Sequence, residues 1–488
     1  MNKGFFKKYY PILRLTELLL DLFFIVLSFL IVIQLDGFVT SGDFIETIKE
    51  IFNEFFDTYI YVLTTQILYV VVVFFFFIIY QVSVLRKTYI GTMSSMIIAL
   101  AVSNAVIIVF SFLLRKSLVK PEIIVFTFIS QVAFFSAYKF LFHRLISRFS
   151  KKKVLMIGPM EGIKELSTKF LMEDEYRRNL KYVIFEEQIT SVNELLKLID
   201  EVDDVIIHQN LSEVYKNNII TYCLSKIYIT VYLVPKLYEI NIVNSEFDQV
   251  RDTPVFSSKS LHLTITQRFM KRFLDIVVSI VGLIIAFPLF LIIALIIKLH
   301  DKGPVFYIQE RITRGNKPFK LIKFRTMIVD AEKETGAVWQ MENDPRITKV
   351  GKFLRATRID ELPQLINVLK GEMSLIGPRP EREIFIQKFC ESNPDFKYRV
   401  NVKPGITGLA QVLGKYNSTP DDKLRFDLLY IRNYSFLLDI KILFLTIKAV
   451  FDRDSSATLG IPPFDEYLKK KKLLATPIPL GLEISEKK

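Results

Sequence analysis

Four long apolar runs fill most of the first third of the chain and restrict what it can fold into. Residues 15–33, 59–80, 90–114 and 123–142 each approach the ~20 residues a helix needs to cross ~30 Å of hydrocarbon. Backbone polar groups in lipid must be paired within the segment, so the runs predict four spanning helices in residues 1–150. Glu17 and Asp21 interrupt the first run and no small-residue cleavage site follows it, which argues against a removable signal. Basic residues flank the spans: Lys3, Lys7, Lys8 and Arg14 before the first, Arg86 and Lys87 between the second and third, Arg144, Arg148 and 151–153 after the fourth. The charge rule puts these flanks in the cytoplasm. The acidic segment 36–57 fits the other side, while Arg115, Lys116 and Lys120 weigh slightly against it. Gln66, Asn104 and Gln131 inside the runs could be functional intramembrane groups, although hydrogen bonding between helices explains them as well.

Composition agrees with this placement. The 488 residues are 51% hydrophobic yet carry a formal net charge of +13, so the apolar excess must sit apart from the charge. Two distant cysteines, Cys223 and Cys390, exclude a disulfide scaffold and read as core thiols. His143, His208, His262 and His300 lack ligand spacing, which argues against zinc. The sequence also contains no nucleophile elbow and no phosphate loop of the Walker type. The lysines at 469–472 suit a solvated tail or anionic headgroups better than nucleic acid.

From residue 151 to 257 short β-rich runs alternate with helical stretches, predicting a small α/β domain of Rossmann-like type, with buried strands at 154–157, 204–207 and 228–234. Its first turn, Gly158-Pro159-Met160-Glu161-Gly162, has Met160 and Ile163 where a dinucleotide fingerprint needs glycine. The fold signal therefore survives and the NAD signal fails.

Residues 276–297 form a fifth apolar run, long enough to span. Basic residues flank both of its ends and Pro288 lies inside it. A helix spanning about 272–299 that enters the membrane, breaks at Pro288 and returns satisfies both features; a kinked spanning helix is the alternative.

The chemistry concentrates downstream. In Arg355-Ala356-Thr357-Arg358-Ile359-Asp360-Glu361-Leu362-Pro363-Gln364, Leu362, Leu365, Ile366 and Leu369 recur at helical spacing, Pro363 suits a first turn and Gly371 a C-cap. Asp360 and Glu361 then sit at a helix N-terminus, where free N–H groups and the dipole favour an anion. Arg355 and Arg358 lie just upstream, Lys323 and Arg325 lie in and after a predicted strand, and Arg379 is stiffened between Pro378 and Pro380. Fixed cations around adjacent carboxylates suit a carboxylate nucleophile attacking phosphorus, with the second carboxylate, Glu361, holding Mg²⁺. Two other readings compete. Asp452-Arg453-Asp454 spells the DxD of nucleotide-dependent glycosyltransferases that release UDP, and a membrane-anchored regulator would need no turnover at all.

The motifs in this region resemble the bacterial sugar transferases, the polyprenyl-phosphate phosphoglycosyl transferases. They are KRFLD at 271–275, the proline-containing apolar helix, KFRTM at 323–327, DPRITKVGKFLR at 344–355, DELPQ at 360–364, SLIGPRP at 374–380, KPGITGLAQV at 403–412 and LLDIKIL at 437–443. One position departs: Thr313 stands where the family often has glycine. The resemblance implies a catalytic domain at 268–454 with a re-entrant helix, preceded by the membrane bundle and the Rossmann-like domain and followed by a tail at 455–488. It implies that Asp360 attacks the β-phosphate of a UDP-sugar, releasing UMP, and that undecaprenyl phosphate then takes the phosphosugar. Glu361 would act through Mg²⁺. Arg379, with Pro378, Arg358 and Arg325, would contact the donor, and Lys323, Arg355 and Asp439 would complete the site. The setting it implies is the bacterial inner membrane with the catalytic domain on the cytoplasmic face, among membrane lipids, with no nucleic-acid partner and with a homodimer left open.

Overall fold

The computed structural model describes residues 5–41, 57–83, 89–113, 121–147, 151–172, 178–243, 245–258, 260–301, 303–329, 331, 344–414, 419–451 and 461–486. Two compact units emerge, 1–234 joined by 462–488, and 235–461.

In the first unit helices stand at all four apolar runs: α1 (Phe5–Ser41), α2 (Asp57–Ile79), α3 (Tyr89–Leu113) and α4 (Pro121–Ser147). By length and apolarity Tyr89–Phe110 and Ile123–Ile146 can each cross a membrane, and Ile67–Ile79 is a shorter apolar stretch. Charges unite α1 and α4. Lys139, fully buried, lies 2.9 Å from Glu17 and 2.8 Å from Asp21, and Ser83 donates to Glu17 at 2.6 Å. A second polar link joins three helices: the Tyr69 hydroxyl is 3.2 Å from both the Asn104 and the Gln131 carboxamide oxygens. Interhelical bonding thus accounts for Asn104 and Gln131, whereas the Gln66 side chain, Arg86 and Lys87 lie outside the described residues.

The α/β part of this unit runs through β1 (Lys152–Gly158), α5 (Met160–Met172), β2 (Arg178–Phe185), α6 (Val192–Ile199), β3 (Asp204–Ile207), α7 (Glu213–Leu224) and β4 (Thr230–Leu233). Apolar runs, Val-Leu-Met-Ile at 154–157 in β1 and Val-Ile-Ile at 205–207 in β3, fill the strands because helices cover both faces of a parallel sheet. The four strands lie in the order β2-β1-β3-β4, all parallel, which is the flavodoxin-like rather than the dinucleotide-binding arrangement. Glu187 receives the Met160 N–H on both carboxylate oxygens, at 3.1 and 3.2 Å, so an internal carboxylate sits at the N-terminus of α5. The His208 ring fills the space beside it: a Cβ on Gly162 would come within 2.7 Å of the imidazole.

The second unit begins at Pro235, so the segment 235–257, assigned to the α/β domain from sequence, belongs instead with the residues downstream of it. It contains α8 (Leu237–Ile242) and the hairpin β5 (Glu246–Val250) with β6 (Thr253–Ser257). Next comes α9 (Ile265–Asp301), continuous through the exposed Pro288. The helix break expected at Pro288 is therefore not a break. One stripe of α9 packs along its length: Lys271, Asp275, Ser279, Ala286, Ile293 and Ile297 are buried, at the spacings of 4 and 7 that place residues on one helical face. Its remaining surface, including Ile284, Ile285, Phe287 and Leu295, is exposed and apolar.

The rest of the unit is β7 (Phe306–Thr313), β8 (Lys317–Phe324), α10 (Lys349–Ala356), α11 (Gln364–Lys370), β9 (Ser374–Ile376), α12 (Glu383–Ser392), β10 (Gly405–Thr407), α13 (Leu409–Leu413), α14 (Pro420–Arg432) and α15 (Phe436–Phe451). Strands β7 and β8 form an antiparallel hairpin whose turn uses Gly315 and Asn316 at positive φ, the conformation such tight turns require. Thr313, the departure from the family pattern, bonds the Glu372 carbonyl through its hydroxyl at 2.5 Å. A core including Leu321, Leu365, Val368, Ile376, Leu428 and Ile442 fills the space between hairpin and helices. Ile442 and Asp439 are fully buried, so α15 lies against the core on that side.

Residues 462–488, expected as a tail, return to the first unit as α16 (Phe464–Lys470), β11 (Leu473–Ile478) and β12 (Gly481–Glu486). Strand β12 pairs antiparallel with β2 and extends the sheet to six strands. The lysines at 469–472 end α16 and lead into β11.

Candidate active site

The carboxylate pair lies on a single 3-10 turn, Ile359–Glu361, between α10 and α11. Thr348 caps α10 by accepting the Gly351 N–H at 2.9 Å. Arg358, at φ +55°, then reverses the chain, a conformation that strains any residue with a Cβ and is kept where surrounding contacts fix it. Asp360 thus precedes the α-helix on its own turn, a correction to the expected helix N-terminus. Pro363 caps α11, and Gly371 ends it at φ +84°, as the leucine spacing and the glycine predicted.

Asp360 and Glu361 are both buried, but their surroundings differ. Arg379 Nη2 donates to Glu361 Oε1 at 2.9 Å and Lys323 Nζ to the same oxygen at 3.3 Å. Asp360 makes no hydrogen bond to a described residue. Burial together with the neighbouring Glu361 charge pushes the Asp360 carboxyl up to about 6, against the pull of Lys323, Arg355 and Arg379. Burial acts on Glu361 as well, yet Arg379, Lys323 and Arg358 outweigh it and hold Glu361 well below the usual carboxylate range. Burial lowers Lys323, only partly offset by Glu361, while Glu361 raises Arg379. One carboxylate is therefore locked and charged, and its neighbour is unbound and titrates near neutrality, the division that acid–base and nucleophilic sites exploit.

Of the residues singled out from sequence, the structure gathers Asp360, Glu361, Lys323, Arg355, Arg358 and Arg379 into one electrostatic cluster. Arg355 also bonds the Thr326 hydroxyl at 2.8 Å. A cleft lined by Arg311, Lys323, Glu361, Gln364, Arg379 and Pro380 opens on the Glu361 side of the pair. Pro378 lines an adjoining hollow with Arg379, Glu381 and Arg399. Two residues are placed elsewhere. The Arg325 guanidinium lies against Gly303 beyond the end of α9, leaving no room for a Cβ there. Asp439 is buried between Lys271 at 2.8 Å and the Tyr430 hydroxyl at 2.7 Å, tying α15 to the start of α9. Asp452 and Asp454 lie outside the described residues. Arg311 was not singled out from sequence; the β7–β8 hairpin brings it to the cleft.

The described residues contain no cluster of three metal-ligating side chains. Mg²⁺ does not require one, since it commonly binds one or two carboxylates together with substrate phosphates and waters. Lys323 and Arg379 both bond Glu361 Oε1, leaving Oε2 as the oxygen that could face such an ion.

Comparison with known proteins bears directly on this arrangement. Residues 266–453, which hold the whole cluster, match the family model of the bacterial sugar transferases. A UDP-glucose:undecaprenyl-phosphate glucose-1-phosphate transferase of Klebsiella pneumoniae is 34% identical over 327 residues, 63% of this chain and 70% of that protein. The chain belongs to the bacterial sugar transferase family. Within it, a UDP-N-acetylgalactosamine-undecaprenyl-phosphate N-acetylgalactosaminephosphotransferase of Aeromonas hydrophila is 45% identical over 185 residues, 37% of this chain. An undecaprenyl-phosphate galactose phosphotransferase of Salmonella typhimurium is 42% identical over 205 residues, 39% of this chain. These two alignments span 44% and 42% of the respective relatives. The three relatives name three different sugars, so family membership does not choose one.

Proposed function

We propose that this membrane protein transfers a sugar-1-phosphate from a UDP-sugar to undecaprenyl phosphate through a covalent intermediate on Asp360, an early membrane step in the synthesis of a cell-surface polysaccharide. The observation that carries the proposal is the asymmetry of the pair, with Glu361 held by Lys323 and Arg379 while Asp360 makes no hydrogen bond among the described residues. A nucleophile must be free and ionised, and a pKa about 6 leaves Asp360 mostly ionised at neutral pH.

In the first half-reaction an Asp360 carboxylate oxygen bonds to the β-phosphorus of the donor. The bond from that phosphorus to the bridging oxygen breaks, and UMP departs with the bridging oxygen. Arg379, Lys323 and Arg355 would stabilise the charge that spreads over the diphosphate, since fixed cations in a partly buried site do so more strongly than water. In the second half-reaction a phosphate oxygen of undecaprenyl phosphate attacks the same phosphorus. The aspartyl–phosphorus bond breaks, Asp360 returns as carboxylate, and undecaprenyl-diphosphate-sugar leaves. Glu361 Oε2 would hold Mg²⁺, which supplies charge neutralisation at the phosphate oxygens when bound.

The packing of α9 supports a single-face arrangement. Its early residues Arg272 and Asp275 bond α11 and β9, and its late residues Ile293 and Ile297 pack with Phe324 and Leu354, so both flanks rest on the same α/β unit. With the exposed apolar face in the lipid, the site lies at the cytoplasmic surface of the bacterial inner membrane, where nucleotide-sugars are found.

The test is Asp360→Asn in the full-length protein. Radiolabelled UDP-sugar without lipid acceptor should leave label on acid-quenched wild-type protein and none on the variant, with UMP rather than UDP as the released nucleotide. Retained phosphosugar transfer by Asp360→Asn would rule out the covalent route, and release of UDP would favour a DxD-type glycosyltransferase.

A further inference from the structure

Arg379 owes its position to a turn held by its carbonyls. Pro378 and Pro380 have no N–H, and four successive carbonyls accept from four separate donors. Pro378 O accepts from Gly405 N at 2.9 Å and Glu381 O from Ile312 N at 3.1 Å. Arg379 O accepts from Arg399 Nη2 at 3.1 Å, and Pro380 O from Arg311 Nη1 at 3.1 Å. The bonds at Pro378 O and Arg379 O fix the two planar peptide units on either side of the Arg379 Cα, and so set the direction of its Cα–Cβ bond.

Two of the four donors are guanidinium groups, each oriented by an acceptor of its own. Arg399 is buried, stacks 4.6 Å over the Phe396 ring, and shares its Nη2 between Arg379 O and Asp427 Oδ2 at 2.8 Å. Arg311 bonds Gln309 Oε1 through Nε at 3.0 Å and Nη2 at 2.6 Å. Glu381 balances the two, 3.6 Å from Arg311 and 3.8 Å from Arg399. Planar guanidinium groups with a second anchor are stiff donors, unlike lysine.

We infer that Arg399 with Asp427, and Arg311 with Gln309, are positioning residues that preset Arg379 for the diphosphate of the donor. The inference rests on Arg379 being a donor contact of the proposed transferase. A merely structural alternative assigns the Arg399–Asp427 pair to joining α14 to the 394–401 turn, with no special link to Arg379.

A double-mutant cycle separates the two, using full-length protein in nanodiscs, UDP as the calorimetric probe and the melting temperature as a control. Asp427→Asn keeps the shape and loses the charge, and should weaken UDP binding about tenfold, as small displacements of a preset group do. In an Arg379→Lys background, where the preset guanidinium is gone, the same change should cost less than about twofold. Equal factors in both backgrounds, or unchanged UDP affinity in folded Asp427→Asn, would overturn the inference. If Asp427→Asn lowers the melting temperature sharply, Gln309→Leu, which releases Arg311 outside the core, enters the same cycle with the same two readings. Persistent turnover by Asp360→Asn would defeat the covalent mechanism while leaving the UDP cycle intact, so the two failures are distinguishable.

Discussion

The acid limb of the donor half-reaction should report Asp360, and Glu361 should set its position. With a pKa about 6, Asp360 is about nine-tenths ionised at pH 7 and about one-tenth ionised at pH 5. Single-turnover UMP release should therefore fall roughly tenfold between those values. Glu361→Gln removes the like charge and frees Arg379 and Lys323 to act on Asp360, and both changes favour the carboxylate. At an effective dielectric of about 20, adjacent unit charges interact by roughly 2–3 kcal/mol, so the inflection should drop by about one to two pH units. The plateau of the variant will also fall, because Arg379 loses its partner, so each profile is normalised to its own maximum. Relative rate at pH 5 should then rise from about 0.1 to at least about 0.5. The assay uses enzyme in excess over UDP-sugar, no lipid acceptor, and pH from acidic to neutral. An inflection that stays at the wild-type position or moves upward would refute the assignment of Asp360 as the titrating group with Glu361 as its ionised neighbour.

Three further outcomes come from the same geometry. A carboxyl whose folded pKa is raised contributes stability below its unfolded pKa and loses it as pH climbs through the folded value, here between the ordinary 3.8 and about 6; Asp360→Asn should thus raise the melting temperature at pH 7 by the equivalent of at most about 3 kcal/mol and leave it nearly unchanged at pH 4. Lys139→Met leaves Asp21 buried without its cation, while Glu17 keeps Arg14 at 3.0 Å, so thermal denaturation in detergent should show a loss of roughly 3–5 kcal/mol, largely recovered when Asp21→Asn is added; an unrecovered double variant would refute charge balance as the cause. Lys271→Met should likewise destabilise by leaving Asp439 buried beside Tyr430, and Lys271→Met with Asp439→Leu should be more stable than the single variant, since a buried pair is often replaceable by apolar residues.

Local pattern made the helices legible, because the period of an apolar run and the placing of Pro363 and Gly371 are short-range signals, whereas the separate turn carrying Asp360 and Glu361 reads in sequence as a helix N-terminus. What depended on distant partners was hidden. The segment 473–486 carries Pro477 and a Gly481 turn and reads as a tail until β2, almost three hundred residues earlier, supplies an edge for Gly481, Leu482 and Glu483 to pair with. Lys139 in an apolar run gave no sign that Glu17 and Asp21 would face it. Asp439 looked like an active-site acid from its motif, yet the buried cation opposite it is Lys271. Arg399 and Asp427 carry no motif that marks them, since their role arises only where the turn at Arg379 meets α14. The positive φ of Arg358 is equally invisible, for nothing in an arginine codes for it.

The length of α11 connects the membrane helix to the chemistry. Arg272 on α9 donates to the Val368 and Leu369 carbonyls at 2.5 and 2.7 Å, adding to the Gly371 N–H that Val368 already accepts at the C-terminus of α11. Asp275, one turn further along α9, accepts from Ser374 Oγ and Leu375 N at 2.9 and 2.8 Å and so fixes the strand after α11. Seven residues of helix rise only about 10 Å, and the other end of α11 adjoins the turn that holds Asp360 and Glu361. Contact is also direct, since Gly282 of α9 leaves just enough space for Leu365, whose Cδ1 lies 3.2 Å from where a Cβ would stand. The carboxylate pair is therefore tied to α9 through one short helix. That arrangement suits a reaction in which one substrate arrives from water and the other keeps its hydrocarbon in the lipid with only its phosphate raised to the site.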